Sequence, residues 1–162
     1  MDDKITVLLE KINIDKENYQ YFSSAKLNKI KVYSKNNSWD IFISNPVPFP
    51  LDIIKELELK KHELDESATN INFIFDIQNI NLETYVSYYP YVLEQVKENL
   101  KVLEIYEDCL KMEDGFLVLV VTTEIEQERL ESCLDKISTI YKKLGYPFNI
   151  EIKLCREESI LA

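Results

Sequence analysis

Lys29-Ile30-Lys31-Val32-Tyr33, a polar turn from Ser34 to Ser38, and then Trp39-Asp40-Ile41-Phe42-Ile43-Ser44 are the residues whose reading decides the fold. Successive side chains of a strand point to opposite faces, so Ile30 and Val32 share one face of the first run, and Trp39, Ile41 and Ile43 share one face of the second. The pair reads as a β-hairpin with one buried face. Pro46, Pro48 and Pro50 follow. Proline donates no ladder hydrogen bond, so they end the second strand, and its fixed φ suits Pro50 to the first turn of a helix reaching about Glu63. Ile53, Ile54, Leu57 and Leu64 of that helix face inward. Ile71, Phe73, Phe75 and Ile77 alternate again and offer the hairpin a third strand.

Upstream of the hairpin, Ile5, Leu8, Leu9 and Ile12 keep the spacing of an amphipathic helix, and Asp15 is a good N-cap for a second, short one. Downstream, Asn81 caps a helix carrying Tyr85, Tyr89, Val92, Leu93 and Val96, with Pro90 expected to kink or restart it. A further helical stretch is expected from about Leu100 to Lys111. Phe116 to Val121 is an unbroken run of strand formers, which suits a central strand covered on both faces. Leu130, Cys133, Leu134, Ile137, Tyr141 and Leu144 keep helical spacing until Gly145 and Pro147 stop it, and Phe148, Ile150, Ile152 and Leu154 alternate as a last strand. The fold class is therefore α+β in two small subdomains. Residues 1–79 run helix, helix, strand, strand, helix, strand, and residues 80–162 run helix, helix, strand, helix, strand.

The 162 residues are 46% hydrophobic, enough for a core of ordinary density. The acidic start Met-Asp-Asp-Lys is unlike a signal peptide, and no apolar run approaches the roughly 20 residues of a membrane span. A cytoplasmic protein with no membrane contact is expected. Cys109, Cys133 and Cys155 are odd in number and lie far apart with no CxxC spacing, against a disulfide framework or a zinc site. The net charge of −10 weighs against generic phosphate-backbone binding. That charge is uneven: no acid occurs between Glu17 and Asp40, where Lys26, Lys29, Lys31 and Lys35 stand.

Catalytic chemistry finds little to work with. His62 is the one histidine and sits beside Lys60 and Lys61, the composition of an exposed last helical turn. Glu124, Glu126, Glu128 and Glu131 open a helix, where a solvated acidic face suits the helix dipole better than a metal site does. Ser23, Ser24, Ser87 and Ser132 lie in no nucleophile elbow. With two glycines in the chain, neither common Gly-rich phosphate loop is possible. No catalytic residue, metal, cofactor or small-molecule ligand is expected. Two surfaces remain. Tyr85, Tyr88, Tyr89 and Tyr91 are crowded enough that some should look outward, as Tyr does at protein interfaces, with Tyr85, Tyr88 and Tyr89 the candidate partner contacts. Lys26, Lys29, Lys31 and Lys35, near Tyr33, interleave charge with an aromatic as a single-strand nucleic-acid binder would.

Lys29-Ile30-Lys31-Val32, the turn to Ser38-Trp39-Asp40-Ile41-Phe42-Ile43, and the proline-rich lead into a helix together resemble the first N-terminal segment of the PolC-type DNA polymerase III alpha subunit, a bacterial replicative polymerase. Tyr88-Tyr89-Pro90-Tyr91-Val92-Leu93 and Lys143-Leu144-Gly145-Tyr146-Pro147-Phe148 are similar to landmarks of its second. The resemblance implies that the polymerase, the 3′-5′ exonuclease and the phosphatase-like domain lie downstream, and that none of the family's catalytic carboxylates or metal-binding histidines falls on a residue here. The first unit also resembles the small KH-like domain that ends the tau clamp-loader subunit. The resemblance implies a non-catalytic protein-interaction module whose partner is another replisome protein, clamp loader or related; the rival readings are a single-stranded nucleic-acid-binding module using the Lys26 to Lys35 hairpin and a free-standing acidic adaptor unrelated to replication.

Overall fold

The computed structural model describes residues 2–96, 110–113, 116–132, 134–146 and 149–154. The chain forms two compact units, Met1–Asn81 with Lys143–Gly145 and Leu82–Lys142 with Tyr146–Ala162. Each holds a three-stranded sheet and helices, a mixed α and β architecture. Among the described residues no helix is long and apolar enough to cross a membrane.

In the first unit, helix α1 (Asp3–Lys11) buries Ile5, Leu8 and Leu9, the residues its 3.6-residue periodicity aligns. Asp2 caps it, accepting from the Lys4 N–H at 3.1 Å, and its second carboxylate oxygen accepts from the Leu27 N–H at 3.2 Å. One aspartate thus starts the helix and ties it to strand β1 (Lys26–Tyr33). Strand β2 (Ser38–Asn45) pairs antiparallel with β1 and parallel with β3 (Asn70–Ile77), giving the order β1-β2-β3. Ile41 and Ile43 of β2 and Ile71, Phe73, Phe75 and Ile77 of β3 are buried, as the alternation predicts. Between β2 and β3, helix α2 (Leu51–Lys60) buries Ile53, Ile54 and Leu57 and ends in a 3-10 turn, Lys61–Glu63.

Two expectations for this unit are corrected. The short helix expected after Asp15 forms as a 3-10 helix, Lys16–Phe22, with Asp15 at its N-cap position, but the Asp15 side chain makes no capping bond. Its backbone N–H donates instead to the Glu56 carboxylate at 2.9 Å. The hairpin is also not buried along one whole face: Ile30 is 41% and Val32 52% exposed. They stand opposite the buried Ile41 and the half-buried Trp39, on the face that packs against the helices, but at the sheet edge, where that cover gives out.

Glu56 holds this corner together. Its carboxylate accepts from the Asp15 N–H, from Asn18 Nδ2 at 2.6 Å and from Lys60 Nζ at 3.1 Å. Burial pushes its pKa up, but these donors outweigh burial and hold it below its ordinary value of 4.5. A carboxylate depressed in the folded state stabilises above its unfolded pKa and loses that contribution as pH falls through the folded one. Glu56→Gln should therefore cost about 1–3 kcal/mol at neutral pH, and the gap from the parent chain should close in acid. Urea midpoints at neutral and acidic pH check this; a gap independent of pH would show that the charge contributes nothing.

The second unit begins with helix α3 (Leu82–Val96), which runs through Pro90. Strands β4 (Leu110–Glu113), β5 (Phe116–Val121) and β6 (Asn149–Leu154) form its sheet in the order β4-β5-β6, with β5 antiparallel to β4 and parallel to β6. The run Phe116 to Val121 is thus the central strand. Residues 100–109 of the helix expected to reach Lys111 lie outside the described residues, and its end is corrected, because Leu110 and Lys111 pair with Leu119 and Val118 as strand. Helices α4 (Glu124–Ser132) and α5 (Leu134–Lys143) occupy the long helical stretch, burying Leu130, Ile137 and Tyr141. Gly145 has φ +101°, the left-handed stop that its place after the last helical turn requires.

Candidate functional site

The first sheet has a face away from its helices, and the lysine-rich hairpin builds it. Lys26, Lys29, Lys31 and Tyr33 register with Ser44, Phe42, Asp40 and Ser38, which alternate along one face of β2. Lys26 and Lys29 are three residues apart, and in a regular strand they would point to opposite faces. The register slips between Leu27 and Lys29, and this bulge returns Lys29 to the face of Lys26. Sequence periodicity cannot see such a slip.

All four lysines are exposed, but the structure gathers only some of them. Lys29 Nζ lies 4.7 Å and Lys31 Nζ 5.6 Å from the centroid of the Phe42 ring, so both ammonium groups sit over that one ring. Lys31 stands directly across from Asp40, whose Oδ1 accepts from Asn72 Nδ2 at 3.1 Å. Lys26 stands apart, near the start of β1, and Lys35 belongs to the turn. Phe42, which alternation alone gives no role, is the centre of the cluster, placed opposite Lys29 by the pairing register.

The turn is held firmly. Asn37 has φ +49° and its Oδ1 accepts from Trp39 Nε1 at 3.3 Å. The Thr69 N–H and hydroxyl donate to the Asn37 and Asn36 carbonyls at 3.0 and 2.6 Å. Hydrogen bonds from the Ser67 hydroxyl, from the Ser67 N–H and from Asn37 hold the Asp65 carboxyl below its ordinary value. These contacts fix the far end of β1, so its exposed side chains ride on a tethered strand.

Tyr85, Tyr88, Tyr89 and Tyr91 give the opposite outcome, and the expectation that some look outward is corrected. None is more than 8% exposed. At 100° per residue, positions 85, 88, 89, 91, 92 and 96 cover an arc of about 160°, which is wide but continuous. Tyr85 stacks on Tyr141 with centroids 4.0 Å apart, Tyr146 meets both edge-on, and the Tyr141 hydroxyl donates to the Tyr85 carbonyl at 2.9 Å. Burial raises the hydroxyl pKa of Tyr85, Tyr88 and Tyr141, so all three remain neutral at physiological pH. These tyrosines are core, and Tyr85, Tyr88 and Tyr89 offer a partner no surface in this fold.

Among the described residues no group of three or more His, Cys, Asp or Glu side chains comes together as a metal site. His62 is exposed in the 3-10 turn after α2, and Glu124, Glu128 and Glu131 are exposed on α4. Cys109, Cys133 and Cys155 lie outside the described residues.

No curated protein matches the chain. Residues 4–75, which span α1 to most of β3 and so include the whole lysine hairpin, match the family model of the DNA polymerase III polC-type N-terminus I.

Proposed function

We propose that this chain is the non-catalytic N-terminal region of a PolC-type replicative DNA polymerase, in two segments dividing near residue 80, and that its first unit is a KH-like module contacting another replisome protein. One observation carries the contact role: β1, at the edge of its sheet, presents Ile30, Val32 and Tyr33 at 41%, 52% and 45% exposure. Apolar and aromatic side chains grouped on a rigid edge fit a protein partner. The KH-like assignment is supported by the element order, with a hairpin, a helix and a third strand parallel to the second. A cytoplasmic location follows from this reading.

The nucleic-acid alternative draws on Lys29 and Lys31 beside Phe42, and three features weigh against it. The Phe42 ring a base would stack on already carries the two ammonium groups. Asp40 stands across from Lys31 and reduces the local positive charge. A KH domain clamps nucleotides with a GXXG loop, and the first unit's strands and helices contain no glycine, the chain's two being Gly115 and Gly145.

A photo-crosslinking amino acid at position 33, in the full-length protein within cells, tests the role, with position 62 as an exposed control. The expected result is a covalent adduct with one replication protein from position 33 and none from position 62. Adducts only with DNA, or equal yields from both positions, would defeat it.

A further inference from the structure

The two faces of β1 differ in a way that specifies what lies beside it. Toward the helices the strand shows Ile30 and Val32; on the other face it shows Lys26, Lys29, Lys31 and Tyr33. Along β2 and β3 the helix-side residues are mostly buried, whereas all of β1 except Leu27 is exposed. As the terminal strand in the order β1-β2-β3, it also carries backbone N–H and C=O groups directed away from β2. One of them, the Leu27 N–H, is taken by Asp2, and that contact lies at the start of the strand, leaving the stretch from Lys29 to Tyr33 beyond it.

Resting on the contact role above, we propose that the edge of β1 that no described strand pairs accepts an extended acidic segment of a partner protein as a fourth strand of the sheet. Strand addition satisfies the edge backbone groups, and the alternating side chains read the partner. A fourth strand places alternate residues beside Ile30 and Val32 and the others beside Lys29 and Lys31. The complement is therefore a strand alternating apolar and acidic residues. Charge decides between this occupant and two others. A second copy pairing edge to edge would set Lys29 and Lys31 against the same lysines, a like-charge juxtaposition that destabilises cross-strand pairs. A nucleic acid uses neither Ile30 nor Val32 and must displace the ammonium groups from Phe42.

The test uses the 162-residue chain, isotope-labelled, with a blocked synthetic peptide of alternating glutamate and valine as long as β1. Amide exchange and chemical shifts are followed by NMR as peptide is added. The amides from Lys29 to Tyr33 should gain protection, and the lysine-valine counterpart should leave them unchanged. Lys29→Glu with Lys31→Glu, and separately Ile30→Thr with Val32→Thr, should each raise the Kd at least tenfold while circular dichroism stays that of the parent; all four positions are exposed. Three results would overturn the proposal: no protection on β1, equal binding by both charge forms of the peptide, or dimerisation of the chain through β1. An adduct with a protein from position 33 combined with unprotected β1 amides would overturn strand addition alone and leave the contact role standing.

Discussion

Phe49→Ala should cost the first unit about 3–5 kcal/mol, the range for removing a fully buried phenylalanine. Phe49 is 1% exposed, between Pro48 and Pro50 on the segment leading into α2. Its ring lies 4.9 Å from that of Phe22 in the 3-10 helix and 5.3 Å from that of Phe75 on β3. Three elements distant in sequence therefore share one aromatic junction, and the flanking prolines restrict the backbone shifts that would refill the space. A whole domain is stable by about 5–15 kcal/mol, so this single loss takes a large share. The one tryptophan, Trp39, lies in the same unit and reports its unfolding by fluorescence. A midpoint in urea that moves by the equivalent of less than about 1 kcal/mol would mean that the junction repacks.

A second pair of substitutions should separate shape from polarity in the tyrosine core. Tyr85 is fully buried against Tyr141 and Tyr146, and its hydroxyl has no hydrogen-bond partner among the described residues. A buried, unsatisfied hydroxyl costs about 1–3 kcal/mol. Tyr85→Phe keeps the ring and removes that cost, so it should be neutral or stabilise by about 1 kcal/mol. Tyr85→Ala opens a cavity and forfeits the stack on Tyr141, with an expected loss of about 3–5 kcal/mol. Near-ultraviolet circular dichroism in the tyrosine band, followed through urea, measures both. A Phe variant as damaged as the Ala variant would show that the hydroxyl matters more than the ring.

Much of the first unit was legible because its elements carry strong local signals. Proline at 46, 48 and 50 can end a strand and begin a helix but not continue a ladder, so the β2 to α2 boundary was readable residue by residue. Alternation from Ile71 to Ile77 marked both the strand and its inner face, and Phe116 to Val121 stood out as a central strand. The segment after Asp15 was harder, because short 3-10 and α segments share their capping residues and differ by a bonding offset that composition does not encode. Strand Leu110–Glu113 was missed for a related reason: Leu-Lys-Met-Glu contains good helix formers, and pairing with β5 overrides that preference.

The lysine cluster was half legible. Lys29 and Lys31 share a face at a spacing of two, which any alternation argument finds, but the bulge that brings Lys26 onto the same side and the cross-strand placement of Phe42 come from pairing register. The sequence by itself determined which residues share a helix stripe or a strand face, where the breaks fall, and the charge asymmetry of the hairpin. Only the tertiary structure decided what covers each face. It buried four crowded tyrosines on a continuous arc of α3, against the expectation of an outward one, and left Ile30 and Val32 exposed at a sheet edge. Periodicity sorts side chains relative to their own backbone, whereas burial depends on elements far away in sequence that arrive, or fail to arrive, opposite that face.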